Sequence, residues 1–168
     1  QGTLIGTGID AVGLPYEIYR FTVLHTYAAA TEYKAFFESC CRIAQLINAG
    51  NASFRVEADV SLQSGNTGGP VSGIPVIIQM QVGGVRQFVL PVFDPDNDAH
   101  TCRFSTTAES AIPTNPPVIG SNPITFVQPG CTIQWDTTGG VVGNRYAVSI
   151  AVESLHNGKS SKATIDYM

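Results

Sequence analysis

The chain has 168 residues, of which 43% are hydrophobic and only 13% charged, with 17 glycines and 10 prolines. Charge at about half the usual ~25% leaves a surface to be covered by hydroxyls, amides and partners. A formal charge of −4 argues against nucleic acid, which needs clustered Lys and Arg for its phosphates, and no apolar run reaches the ~18–20 residues of a membrane span.

At this length the chain holds one large β domain or two small ones. Gln1 to Leu14 is an apolar, Gly-punctuated stretch (Leu4, Ile5, Ile9, Val12, Leu14) whose one charge is Asp10. From Tyr16 to Tyr27, Tyr19, Phe21, Val23, His25 and Tyr27 alternate with other residues, the period-2 signature of a strand. Thr31 to Ile47 is ambiguous, because Phe37, Cys41, Ala44 and Ile47 also share a helical face between Thr31 as cap and Gly50 as stop. Phe54 to Leu62 alternates strictly, which turns Phe54, Val56, Ala58, Val60 and Leu62 toward a core. Gln63 to Gly73 reads as a linker or long turn. Seven short apolar runs follow, Val76–Val82, Arg86–Val92, Thr101–Thr106, Ile124–Val127, Thr132–Trp135, Tyr146–Val152 and Ala163–Tyr167, which is the strand count of an immunoglobulin-like sandwich. Gly83-Gly84 marks a hairpin between the first two runs. Ala108 to Asn122, with Pro113, Pro116 and Pro117, reads as a long ordered loop, and Trp135 as a core residue.

Phe93-Asp94-Pro95-Asp96-Asn97-Asp98 carries the densest chemistry. Asp94, Asp96 and Asp98 occupy the first, third and fifth positions of a calcium loop, but Ala99 replaces its Gly and Ser105 its bidentate Glu. An EF-hand is excluded; the choice lies between a looser calcium site and carboxylates capping their own turn. His25, His100 and His156 stand alone, with no nucleophile elbow and no base placed near them, and no other cofactor motif is present. The chain reads as a non-enzyme.

Cys40, Cys41, Cys102 and Cys131 lack C-x-x-C spacing and point to disulfides in an oxidising compartment. Adjacent cysteines of a strand face opposite sides, so Cys40 and Cys41 are each expected to bridge separately, one to Cys102 and one to Cys131. Asn51-Ala52-Ser53 is an N-glycosylation sequon. Together with a chain that begins at Gln1, as leader cleavage would leave it, these features predict a secreted or cell-surface protein.

Several motifs in order resemble a family of extracellular repeat modules of secreted and surface-attached proteins: His25-Thr26-Tyr27, Glu32-Tyr33-Lys34-Ala35-Phe36-Phe37, Cys40-Cys41-Arg42-Ile43, Val71-Ser72-Gly73-Ile74-Pro75, the acidic turn, Cys102-Arg103-Phe104, Gln134-Trp135-Asp136-Thr137, Tyr146-Ala147-Val148 and Ile165-Asp166-Tyr167. The resemblance implies an all-β protein of two antiparallel β-sandwich units in tandem. Residues 1–73 would form a donor-like segment with an incomplete PKD-like unit, and residues 74–168 a cadherin-like one. It also implies that Tyr33 to Ser39 is extended. Four or five strands are too few to close the first unit, so Leu4, Ile5, Ile9, Val12 and Leu14 are expected to supply a strand, to their own unit or to a neighbour's. The expected function is a structural subunit of an extracellular fibre or surface layer, partnered by copies of itself. The alternative is a calcium-stabilised adhesion or carbohydrate-binding module of a larger surface protein.

Overall fold

The computed structural model describes residues 2–63, 65–127 and 130–168. In chain order its strands are β1 (Thr3–Ile9), β2 (Pro15–Arg20), β3 (Glu32–Ser39), β4 (Phe54–Ser61), β5 (Val71–Ser72), β6 (Val85–Val89), β7 (Val92–Phe93), β8 (His100–Phe104), β9 (Val118–Ile119), β10 (Asn122–Pro123), β11 (Thr125–Val127), β12 (Thr132–Asp136), β13 (Val148–His156) and β14 (Lys159–Tyr167), with one short helix, α1 (Thr107–Ser110). The protein is all-β, and every pairing between these strands is antiparallel.

Two sheets form the body of the molecule, one of five strands in the order β3-β4-β14-β13-β8 and one of three in the order β11-β12-β6. Ile133 and Trp135 of β12 and Val148, Ile150 and Val152 of β13 meet in the buried core with Leu90 and Ile124. Alternate residues of a strand share a face, so this is the spacing that a sandwich interior requires. Trp135 is 7% exposed and donates its indole N–H to the Asn122 carbonyl at 3.0 Å, which confirms it as core.

Ser149 lies on the other face of β13, and its hydroxyl bonds Ser105 Oγ at 3.0 Å. Asn115 donates from Nδ2 to the carbonyls of Ser105 and Ser149 at 2.9 and 2.7 Å. The proline-rich stretch is therefore a packed cover over the sheet. It contains α1, closed by a capping box between Thr106 and Glu109, and Ile112 within it is fully buried.

Four expectations change. The boundary at residue 73 does not separate two sheets, because β4 pairs with β14 through Asp59↔Lys162 and Ala58↔Ala163. Val76–Val82 is not a strand; it runs beside the C-terminus through Ile78 N–H to Met168 O at 2.8 Å and Met168 N–H to Val76 O at 3.0 Å. Gly83 and Gly84 do turn the chain at φ 88° and 79°, but β6 pairs with β12. Third, strand β2 stops at Arg20 instead of Tyr27, although β3 is extended as the resemblance implied.

The fourth change is the face of β4. Glu57 and Ser61 are its buried residues, while Phe54, Val56, Ala58 and Val60 are half-buried. The reason is electrostatic: Glu57 sits among Lys34, Arg55 and Lys162, and these ion pairs satisfy a carboxylate that the core would otherwise reject.

Cys102 and Cys131 are joined, with a Cα separation of 5.3 Å, and Cys40 is joined to Cys41. The expected pairing of Cys40 and Cys41 with the distant cysteines is therefore corrected. Cys102 on β8 and Cys131 just before β12 belong to the same buried cluster, so their bridge ties one sheet to the other. Cys40 and Cys41 follow β3 at the opposite edge of the five-stranded sheet and have only each other.

Candidate functional site

The acidic turn is built from the backbone outward. Asp94 is 3% exposed, and its Oδ1 accepts the N–H groups of Asp96 and Asp98 at 3.0 and 3.3 Å. Asn97 N–H reaches the Asp94 carbonyl at 3.0 Å, and Asn97 takes φ 60°, a conformation that Asn tolerates better than most residues. Asp94 thus holds the turn together from inside, the capping role.

Asp96 and Asp98 look outward from the same turn. Asp96 accepts the N–H and hydroxyl of Thr67 at 2.8 and 2.6 Å, and these bonds hold its carboxyl below the ordinary range. Asp98 lies 2.9 Å from Nδ1 of His156. Among the described residues, the side chains that gather within 4.8 Å as metal-type ligands are Asp96, Asp98 and His156. The sequence placed Asp94 in that set and missed His156, which is 58 positions from Asp98 and comes near it only because β13 pairs with β8. Two carboxylates and an imidazole are a poor match to the six to eight oxygens of calcium. Both carboxylates already have protein partners.

The N-terminal segment is the second candidate. Instead of standing free as a single strand, it folds into a hairpin in which Gly6 faces Ile18 and Gly8 faces Tyr16. A Cβ on Gly8 would meet the Tyr16 ring at 2.4 Å, so the glycines let β2 side chains lie flat across β1. The tip is organised by Asp10, whose Oδ1 accepts Val12 N–H and Leu14 N–H at 3.0 and 2.9 Å. The Leu14 bond is the chief reason its carboxyl lies below the ordinary range. Asp10 Oδ2 also pairs with Arg145, fastening the tip to the body.

The rest of this arm is open. Leu4, Ile5, Ile9, Val12 and Leu14 are all about half exposed or more, and beyond β2 Val23 and Leu24 are 88% and 93% exposed. The outer edge of β1 and that of β2 have no strand partner among the described residues. Strand β3 is likewise an edge strand, carrying exposed Phe36 and Phe37. Arg55 lies 4.5 Å above the Phe36 ring.

Behind β3 the charges are concentrated. Lys162 bonds Glu57, Asp59 and Glu109 at 2.8, 2.9 and 2.7 Å, and Arg103 bonds Glu109 and Glu153, each at 2.8 Å. Burial alone would raise Glu57, but the bonds from Lys162, Lys34 and Arg55 prevail and bring it down to about 2. Arg103, with Lys162 beside it, holds Glu109 far below the ordinary carboxylate range. Every member of this group has an opposite charge as partner, so it braces the sheet and offers no free acid or base. Asn51 is exposed in a turn at φ 58°.

Residues 12–63 match the family model described as Integrin beta-like protein A-E, N-terminal. Integrin beta-like protein E of Dictyostelium discoideum is 33% identical over 97 residues, covering 52% of this chain and 5% of that protein. Integrin beta-like protein A of the same organism is 31% identical over 99 residues, covering 51% of this chain and 5% of that protein. The match thus spans about a twentieth of either relative. No solved structure matches the chain. No helix among the described residues is long and apolar enough to cross a membrane.

Proposed function

We propose that this chain is an adhesion-type module of an extracellular surface protein, and that it joins copies of itself through its N-terminal arm. The observation that carries the proposal is the arm itself. A two-stranded ribbon is barely stable alone in water, yet this one leaves Leu4, Ile5, Ile9, Val23 and Leu24 uncovered. Exposed apolar side chains gathered on one arm fit an interaction site, and an unpaired strand edge supplies main-chain donors and acceptors for a partner. The family model begins at the tip of this hairpin and ends just after β4, so the stretch matching the integrin beta-like family takes in β2 and the exposed Val23 and Leu24, while β1 lies outside it.

An arm edge meeting β3 of the next copy would be a head-to-tail contact, and such a contact builds a filament when it does not close into a ring. A fibre or surface layer is the form of assembly we infer. The PKD-like and cadherin-like resemblance is part of the same reading, supported by the buried Trp135 in one cluster with the inter-sheet bridge Cys102–Cys131. An N-glycan on the exposed Asn51 fits the extracellular setting.

Sedimentation and negative-stain imaging of the full chain test the proposal. Wild type should form oligomers that grow with concentration, and the pair Val23→Lys with Leu24→Glu, both at exposed positions, should remain monomeric. A wild-type chain that stays monomeric at every concentration refutes assembly through the arm. Binding by such a monomer to another extracellular protein would then favour the second reading, heterotypic adhesion.

A further inference from the structure

The two disulfides sit in opposite surroundings. Cys102 and Cys131 are each 7% exposed and belong to one buried cluster with Ile133, Trp135 and Val152. Cys40 and Cys41 are both exposed, as are Ser39 before them and Ile43 just beyond, and among the described residues neither belongs to a buried cluster. Thiol–disulfide exchange begins when a thiolate approaches a disulfide sulfur, so its rate depends on that access. A thiol can meet the first pair in the folded chain, whereas it meets the second only when the core opens.

Stability does not account for the exposed pair. A disulfide stabilises mainly by closing a loop in the unfolded chain, and the effect grows with loop length. Cys102–Cys131 closes a separation of 29 residues, while Cys40–Cys41 joins neighbours and removes almost no freedom from the unfolded state. The chain on either side is already held by bonds that involve no sulfur. Ser39 pairs with Phe54 at the end of β3. Arg42 donates its backbone N–H to the Ala52 carbonyl at 2.8 Å, and its buried guanidinium donates to both carboxylate oxygens of Asp166 at 2.6 Å and to the Ser110 carbonyl at 2.9 Å. Opening the bond therefore leaves two thiols on consecutive residues of a held segment, placed to close again without a search through conformations.

We propose that Cys40–Cys41 is a thiol–disulfide exchange site whose substrate is a thiol, and that Cys102–Cys131 is the structural bridge. A thiolate attacks one of the two exposed sulfurs, forms a mixed disulfide with it and expels the neighbouring cysteine as a thiolate. A second thiolate attacks the reductant's sulfur in that mixed disulfide, which releases the second cysteine as a thiolate and the reductant as its own disulfide. The two protons given up by the attacking thiols end on Cys40 and Cys41, two electrons pass to the pair, and the reverse steps restore it. The site lies at the end of β3, an edge strand, where a thiol in solution reaches it. This chemistry does not depend on whether the arm joins copies of the chain.

Trypsin places both cysteines on one peptide, residues 35–42, bounded by Lys34 and Arg42, and separates them from Cys102 and Cys131. The full chain is incubated in native buffer with dithiothreitol, which supplies both thiolates, then quenched at intervals with an alkylating reagent and mapped. Peptide 35–42 should gain two labels roughly tenfold or more faster than Cys102 and Cys131 are labelled. Over that time the emission of the single tryptophan, Trp135, which belongs to the same cluster as the other bridge, should stay unchanged. Exchange into oxidised glutathione before alkylation should return the peptide to its unlabelled form. The reduced chain should also bind one equivalent of phenylarsine oxide, which condenses with two thiols and releases water, and Cys41→Ser should lose that binding. Equal labelling rates at the two bridges, or labels on peptide 35–42 that appear only as the Trp135 emission changes, overturn the proposal. Failure to close again in oxidised glutathione overturns the exchange, and arsenical binding retained by Cys41→Ser places the second sulfur elsewhere.

Discussion

Replacing Glu57 with Gln keeps the shape of the side chain and removes the charge at the centre of the five-stranded sheet. The side chain is 3% exposed and faces Lys34, Arg55 and Lys162, each at 2.8 Å. Breaking a buried ion pair typically costs about 3–5 kcal/mol. The lower end applies here, because Lys34 and Lys162 both keep Asp59 at 2.9 Å and Arg55 keeps Glu38. The depressed titration of Glu57 gives the same size independently: a fall from 4.5 to about 2, at 1.36 kcal/mol per pH unit, corresponds to about 3 kcal/mol. Since the folded-state value lies below the unfolded one, this stability is present above about pH 4.5 and is lost as the pH falls toward 2. Urea unfolding of wild type and Glu57→Gln should therefore differ by about 3 kcal/mol at pH 7 and by about 1.5 kcal/mol at pH 3. The thermal midpoint at pH 7 should drop by roughly 6–12 °C. A difference below about 1 kcal/mol at pH 7, or one that stays constant with pH, would show that the cluster behaves as an ordinary surface network.

Two further outcomes are expected. Non-reducing peptide mapping should return a Cys102–Cys131 link, and removing that bridge should cost roughly 3–4 kcal/mol for a sequence separation of 29 residues; a Cys40–Cys102 or Cys40–Cys131 peptide would restore the pairing expected from the sequence. At the acidic turn, EDTA should leave the melting temperature unchanged, while Asp94→Ala should cost about 1–2 kcal/mol by freeing the N–H groups of Asp96 and Asp98. A melting temperature that falls on chelation and recovers with calcium would reinstate the cation.

The all-β class was legible in the sequence because strand formation leaves a local record. Period-2 alternation and turn residues marked β4, β8, β12, β13 and β14 to within a few positions, and the acidic turn and the Trp135 core could be read directly from residue type. The edge of β3 was reachable through the resemblance, since propensity alone favoured a helix there.

The tertiary structure decided whatever depends on which strands meet. Nothing local in Phe54 to Leu62 says that β14 will bring Lys162 to Glu57, yet that pairing accompanies the burial of Glu57 on the face of β4 that alternation assigns to solvent. His156 reaches Asp98 by the same means. Cysteine spacing is equally silent on connectivity: the bridge between the sheets follows from where β8 and β12 lie on either side of one core. Alternation fixes a residue's side of its own strand, whereas burial, charge pairing and partner choice are set by contacts between segments far apart in the chain, and those contacts exist only once the chain has folded.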